Sequence, residues 1–435
     1  MIARRIAAML VAMSAFAGGS GAESQFSHAL DAANEIKQTA RSGGGVACIA
    51  RTDLWPEVLA AAANPRWTFH ALETDLARVN EMRRQAADAG LLGRNVYVHA
   101  WDGQALPHAD HLLDLLALPA GFPEAEALRA ISPLRGRAFV GDKLLTKPPL
   151  PGSDWWSHRA HRADNNSASE DTAFQLPVAL QYTAMPYYSS LHGSQLVVNG
   201  LRIEFYDWAV RYAGGGGTAP MAGKLVGRSL YNGQIVWMRE MPQRIKPDSQ
   251  ICAATDERVF LADGQPARVV TYDVATGADR PAIEPAPGDA RQVTWLAVDA
   301  GRLYLLLADP DWPRIVSSIG PHALLWDLKR REPVPGQYDR KYPRAEPPEK
   351  IIPSSVLCWD IEANRLLWRH DEGQPIDFRS VAVRDGRTYF YSEKTRMVCL
   401  DGQGRVAWEN HDPEWLGQLA PQRSLANSNL RNSSS

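Results

Sequence analysis

The hydrophobic pattern divides the chain into two regions with different periods. From Leu54 to Leu118, short apolar runs alternate with segments whose apolar residues recur every three or four positions. WTFHAL (Trp67–Leu72) and VYVHA (Val96–Ala100) read as strands. Between them, Leu76–Ala89 places Leu76, Val79, Met82 and Ala86 along one helical face, and Gly90 and Gly93 close the segment. Ser27–Thr39 and Leu54–Ala63 read as further helices. Ser42–Ala50 (SGGGVACIA) and His111–Leu118 hold further apolar runs. This alternation predicts an α/β, Rossmann-like domain over residues 23–147, with a parallel sheet and crossover helices.

Beyond residue 180 the pattern becomes one of short strands separated by turns. VLCWDIEANRLLW (Val356–Trp368) is repeated in MVCLDGQGRVAW: Cys358, Asp360 and Trp368 recur as Cys399, Asp401 and Trp408. An interval of about 40 residues is the signature of a blade-type repeat. Four units are visible. The first ends in LVGRSLYNGQIVWMRE, with the turn Asn232-Gly233 and Trp237. The second holds DERVFLADG and RVVTYDVATGA. The third holds DAGRLYLLLAD and closes, after an insert at Pro310–Pro353, with VLCWDIEANRLLW. The fourth is RDGRTYFYSE followed by MVCLDGQGRVAW. In each, an early turn starts an apolar strand, and a second strand ends in a turn that leads to the closing strand. The prediction is an all-β, incomplete propeller over residues 148–417, after a stiff linker at Lys147–Gly152 (KPPLPG), and a polar, disordered tail at 418–435.

Charge and composition narrow the function. A formal net charge of −2 over 435 residues gives no electrostatic case for nucleic acid or an anionic membrane. Arg4 and Arg5, the apolar run Ile6–Ala17 and the small residues Ser20-Gly21-Ala22 read as a secretory signal over residues 1–22, which places the protein in the periplasm or outside the cell. That run is too short to span a bilayer, and no later one is long and apolar enough, so no transmembrane segment is expected. The four cysteines include no CxxC. Cys358 and Cys399 fall on neighbouring sheets, and buried free thiols are expected.

Candidate chemistry is sparse. DWWSHRAHRADNNSASED (Asp154–Asp171) gathers Trp155, Trp156, His158, His161, Asp164, Asn165 and Asn166. On a helix, His158 and His161 could share a metal. The Ser, Asp and Asn that follow point instead to a turn-rich lead-in, and no third ligand is placed, so no metal site is assigned. The four glycines within Tyr212–Ala222 are not a phosphate cradle, because no GK[ST] follows.

Two resemblances carry the rest. Ala71–Leu118, from ALETDLARVNEM to LLDLLAL, resembles the middle of a class I S-adenosylmethionine (SAM)-dependent methyltransferase. The resemblance implies that Glu73 or Asp75 would hold the ribose and Asp102 the adenine. The chain departs from the family after the first strand, where Ala50-Arg51-Thr52-Asp53 replaces the glycine-rich turn, so the domain is expected to be degenerate. The repeats resemble those of pyrroloquinoline quinone (PQQ) quinoproteins: Tyr272–Gly277 matches their Asp-Thr-Gly turn, and Trp237, Trp368 and Trp408 match the tryptophan that packs between blades. The two domains together resemble secreted quinoprotein-like propellers with a methyltransferase-like N-terminal domain. Similarity to outer-membrane assembly-factor propellers implies a non-catalytic exported scaffold that binds a protein or polymer partner through its loops. The resemblances imply two alternatives, a PQQ-dependent dehydrogenase, for which this chain lacks adjacent cysteines, and a SAM-dependent methyltransferase.

Overall fold

The computed structural model describes residues 32–39, 41, 43–174, 176, 180–184, 195–206, 223–242, 251–263, 267–308, 326–327, 332–333, 353–374, 376, 378–392 and 395–419. The secretory-signal segment and the glycine-rich loop after Tyr212 lie outside them, as do all but five residues of the Pro310–Pro353 insert. The chain forms two compact units, residues 1–148 and 149–435.

The first unit is a mixed α/β layer. After α1 (32–39) come β1 (Gly45–Ile49), α2 (Trp55–Ala61), β2 (Trp67–Glu73), α3 (Leu76–Asp88), β3 (Val96–Ala100), β4 (Leu115–Leu118), α4 (Glu124–Ala130), β5 (Arg137–Val140) and β6 (Lys143–Thr146). The sheet order is β3-β2-β1-β4-β5-β6, parallel except for β6. Strand alternation sends Ala47, Ile49, Phe69, Ala71 and Val98 to one face, against Ile36, Trp55, Val58, Val79 and Met82 of the helices. Cys48, Leu72, Leu116 and Ala138 go to the other face, against Ala127 and Ala130 of α4.

Three expectations are corrected here. The helix expected from Leu54 begins as a 3₁₀ turn, Thr52–Leu54, and becomes α-helical only at Trp55, beside Pro56. Leu76 is exposed, because the first turn of α3 lies at the rim of the sheet, while Val79, Met82 and Ala86 are buried. No helix joins β3 to β4. That crossing is irregular, and its Asp102 turn, Gly103 and Pro107 disfavour a helix.

The second unit contains four antiparallel sheets of four strands. The first has β7 (Gln195–Val198), β8 (Leu201–Phe205), β9 (Lys224–Ser229) and β10 (Ile235–Glu240). The second has β11 (Cys252–Ala254), β12 (Arg258–Ala262), β13 (Val269–Asp273) and β14 (Asp279–Ile283). The third has β15 (Gln292–Asp299) and β16 (Arg302–Ala308), then β19 (Ser355–Asp360) and β20 (Arg365–Asp371). The two-residue strands β17 (Trp326–Asp327) and β18 (Glu332–Pro333) pair within the insert. The fourth sheet has β21 (Ala382–Arg384), β22 (Arg387–Ser392), β23 (Arg396–Leu400) and β24 (Val406–Asn410).

Each sheet packs on the next. Leu196, Ile203 and Trp237 meet Ala254, Leu261 and Tyr272. Phe260 and Val269 meet Leu296, Leu305 and Leu357, and Tyr304, Val356 and Trp368 meet Val383, Phe390 and Leu400. The middle sheets are buried on both faces, which explains apolar runs such as RLYLLLA. All four cysteines are buried, and none of them forms a disulfide. The helix α5 (Pro413–Leu419) takes in the first two residues of the tail expected at 418–435, and residues 420–435 lie outside the described set.

Candidate functional site

In a parallel sheet of this order, the crevice for a ligand opens at the carboxyl ends of the strands, where the order reverses between β1 and β4. Here the chain fills that place itself. Arg51 follows β1, and its side chain is largely buried. Its Nη2 donates to Asp53 Oδ2 at 2.7 Å, and its Nη1 reaches Gly141 O, beyond β5, at 3.4 Å. The guanidinium therefore crosses the strand ends, where a glycine-rich turn would leave room for a cofactor.

The three acidic positions are separated by the fold. Glu73 turns back on its own loop and accepts from the backbone N–H of Thr74 at 2.6 Å and of Asp75 at 3.0 Å. Burial would raise its pKa, but hydrogen bonds from Asp75, Thr52 and Thr74 outweigh that and hold it below the usual range. Asp75 caps α3 by accepting from Ala77 N at 2.8 Å. Asp102 accepts from Gln104 N at 2.9 Å and lines an open cleft of about 730 Å³ with His70, Leu72, His99, Trp101 and Pro107. Glu73 and Asp75 do not line it.

This cleft contains a feature absent from the sequence reading. His70 Nε2 lies 2.8 Å from His99 Nδ1, and His70 Nδ1 lies 2.9 Å from His108 Nε2, so three imidazoles form a chain. Burial lowers the pKa of His70 to about 4, helped by the charges of His108 and His99. Burial and then Arg129 lower His108 to about 4. His108 Nδ1 is buried without a hydrogen-bond partner. The two ring nitrogens of His70 face different neighbours, so the three rings do not converge on one cation. Among the described residues, no group of three His, Cys, Asp or Glu could hold a metal. A histidine on each of two predicted strands, on the same face as Leu72, was the available signal.

The second site-like segment, after Asp154, lies where the four sheets of the second unit converge. The first strands lie side by side: β7 by β11, β11 by β15 and β15 by β21. Residues 156–165 bond to each of them. Trp156 pairs with Val197 on β7, and Ala254 N on β11 donates to Ser157 O at 2.9 Å. Val298 N on β15 donates to His158 Nε2 at 2.9 Å, and Val383 N on β21 donates to Ala163 O at 2.8 Å. Asn165 Nδ2 also donates to Val381 O.

His158 is buried and accepts at Nε2, so it is neutral with its proton on Nδ1, toward Ser157 Oγ at 2.8 Å. Burial lowers its pKa to about 4. His161 lies 2.7 Å from Asp154, whose pKa falls to about 2: burial would raise it, but bonds from His161, Glu170 N and Trp155 N prevail. Asx turns at Asp164, Asn166 and Asp171 follow. The structure thus places His158 against Ser157 and Val298, and His161 against Asp154. The repeat aspartates are structural: Asp273 accepts from Thr276, Asp360 from Ala363, and Asp401 from Gln403 and Arg405.

No known family model matches the chain, and no curated protein does. Among solved structures, similar folds include the quinohemoprotein alcohol dehydrogenase ADHIIG of Pseudomonas putida HK5, at 11% identity over 60% of this chain and 40% of that one, with a TM-score of 0.34. BamB from Moraxella catarrhalis matches at 12% identity over 51% of this chain and 61% of its own, with a TM-score of 0.25. A SAM-dependent methyltransferase from Aquifex aeolicus matches at 18% identity over 25% of this chain and 61% of its own, with a TM-score of 0.20. This chain thus spans about half the length of these structures.

Proposed function

We propose that the chain is a non-catalytic exported scaffold. Its four-sheet unit is a partial propeller that presents loops to a protein or polymer partner, and its N-terminal unit is a structural relic of a SAM-binding domain. The observation that carries this reading is the path of Arg51 across the strand ends to Gly141 O, through the space a methyl donor would need. The recruitment of Glu73 and Asp75 to their own loop and helix supports it. In the second unit, the place where the sheets converge is taken up by residues 156–165, and the repeat aspartates close turns.

The test is calorimetry of SAM against the full chain, with an electron-acceptor assay after reconstitution with PQQ and calcium. We expect no binding heat and no acceptor reduction. Micromolar SAM binding that disappears in Asp102→Ala, or quinone-dependent turnover, would overturn the proposal.

A further inference from the structure

Over β2 and β3, the face that carries His70, Leu72 and His99 is bordered by the irregular crossing 101–114 instead of a helix. That crossing is pinned by Arg129 of α4. Its Nη1 donates to His108 O and to Asp110 Oδ1, both at 2.7 Å, and its Nη2 to Leu106 O at 3.1 Å. Nη2 and Nε also donate to Glu126, at 2.7 Å and 2.8 Å, and Glu126 Oε1 accepts from Leu106 N at 2.9 Å. Trp101, at the start of the crossing, is fixed as well. Its Nε1 donates to Ala105 O at 2.8 Å, and its ring packs on Phe122 with centroids 5.6 Å apart. The wall of the cleft is thus held in shape by its own chain, which lowers the ordering cost of binding a ligand there.

The imidazole chain sets the polarity of the rim. His108 Nδ1 is buried without a hydrogen-bond partner, and the Arg129 charge acts on that ring. A proton on Nδ1 would be a buried, unsatisfied donor near a cation, so neutral His108 carries its proton on Nε2 and donates it to His70 Nδ1. His70 then carries its proton on Nε2, toward His99 Nδ1, and His99 carries its own on Nε2. His99 is exposed, and its Nε2 has no partner among the described residues, so the chain ends in an N–H donor at the cleft. Asp102 leaves an acceptor there. Its Oδ1 closes the turn to Gln104 N, while its Oδ2 has no partner among the described residues.

These groups select a chemistry. A hydroxyl can accept from His99 and donate to Asp102 at the same time. A phosphate or carboxylate can only accept, and it would meet the Asp102 carboxylate in a lining that holds no Lys or Arg. The lining offers one indole ring. That suits a sugar, whose C–H groups gather on one face and whose hydroxyls point sideways, better than a nucleobase, which is flat and apolar on both faces. We propose that this cleft is a carbohydrate-binding site, which takes a pyranose unit of a glycan with its C–H face on Trp101 and its hydroxyls on His99 and Asp102. The site lies within the first unit and is independent of what the loops of the second unit bind.

The test is calorimetric titration of the full chain with cellohexaose and with chitohexaose, and with adenosine as the rival ligand. At least one of the two sugars should bind saturably, with a Kd below about 1 mM. Asp102→Asn keeps the oxygen that closes the turn and replaces the free acceptor with a donor, and His99→Ala removes the rim donor. Both side chains are exposed, so neither change empties the core. Each should weaken sugar binding by about tenfold. Nitrogen-15 NMR of the histidines should find His70, His99 and His108 all protonated at Nε2. Absence of saturable binding by both sugars overturns the proposal, as does sugar binding that the two variants leave unchanged. Adenosine binding tighter than either sugar and weakened by Asp102→Asn would make the site one for a nucleoside, and a His99 protonated at Nδ1 would remove the donor; either result also overturns it.

Discussion

Residues that look available for chemistry in the sequence are held by their own backbone in the fold. Asp75 is a helix cap, Glu73 closes its own loop, and His158 accepts a strand N–H. Sequence spacing shows which types of residue are near one another, but not whether their polar atoms are already paired, so the candidate site was legible only in outline. His70, His108 and His158 share a further property: burial is the first cause holding each neutral, with pKa values near 4. The sign follows from linkage. An unfolded histidine binds a proton below about pH 6.5, whereas these rings in the folded state do not until about pH 4, so stability is full above 6.5 and falls as pH drops toward 4. We expect the urea midpoint to be lower at pH 5 than at pH 7, and the drop to shrink in the triple variant His70→Gln, His108→Gln, His158→Gln. An equal or higher wild-type midpoint at pH 5 would contradict this.

At the level of elements, strongly patterned segments were legible and short ones were not. DERVFLADG, RTYFYSE and the Cys-Asp-Trp repeats fall on the expected strands because alternation and turn residues agree there. The first strands of the second and fourth sheets, Cys252–Ala254 and Ala382–Arg384, are three residues long and are set by tertiary pairing rather than by pattern. The three closing tryptophans were expected to play one role, but exposure divides them, because only contact with a following sheet buries the ring. The turn glycines can be divided in the same way. Gly277→Ala would place a Cβ 2.5 Å from Trp237 at φ +69°, and should cost about 2–4 kcal/mol from backbone strain and overpacking. Gly288→Ala, at φ +80° with nothing within 4 Å, should cost only about 1 kcal/mol. Equal urea-midpoint shifts for the two variants would rule out the packing role of Gly277.

At the scale of the molecule, the sequence reading puts a stiff linker at Lys147–Gly152, and the structure has two compact units, residues 1–148 and 149–435. The sequence did not show how the lead-in segment is used. A stretch that reads as a loop joins four sheets whose members are far apart in sequence, through bonds to Val197, Ala254, Val298 and Val383. Long-range backbone pairing of this kind leaves no periodic mark in the sequence. It is also what holds residues 156–165 where the sheets converge. The most direct test is amide hydrogen exchange in the wild-type protein and in His158→Ala. The account predicts slow exchange at Ala254, Val298 and Val383 in the wild type. Removing the His158 acceptor should speed all three together as the segment releases its neighbours. Wild-type exchange at the rate of an exposed turn, or no acceleration in the variant, would contradict it.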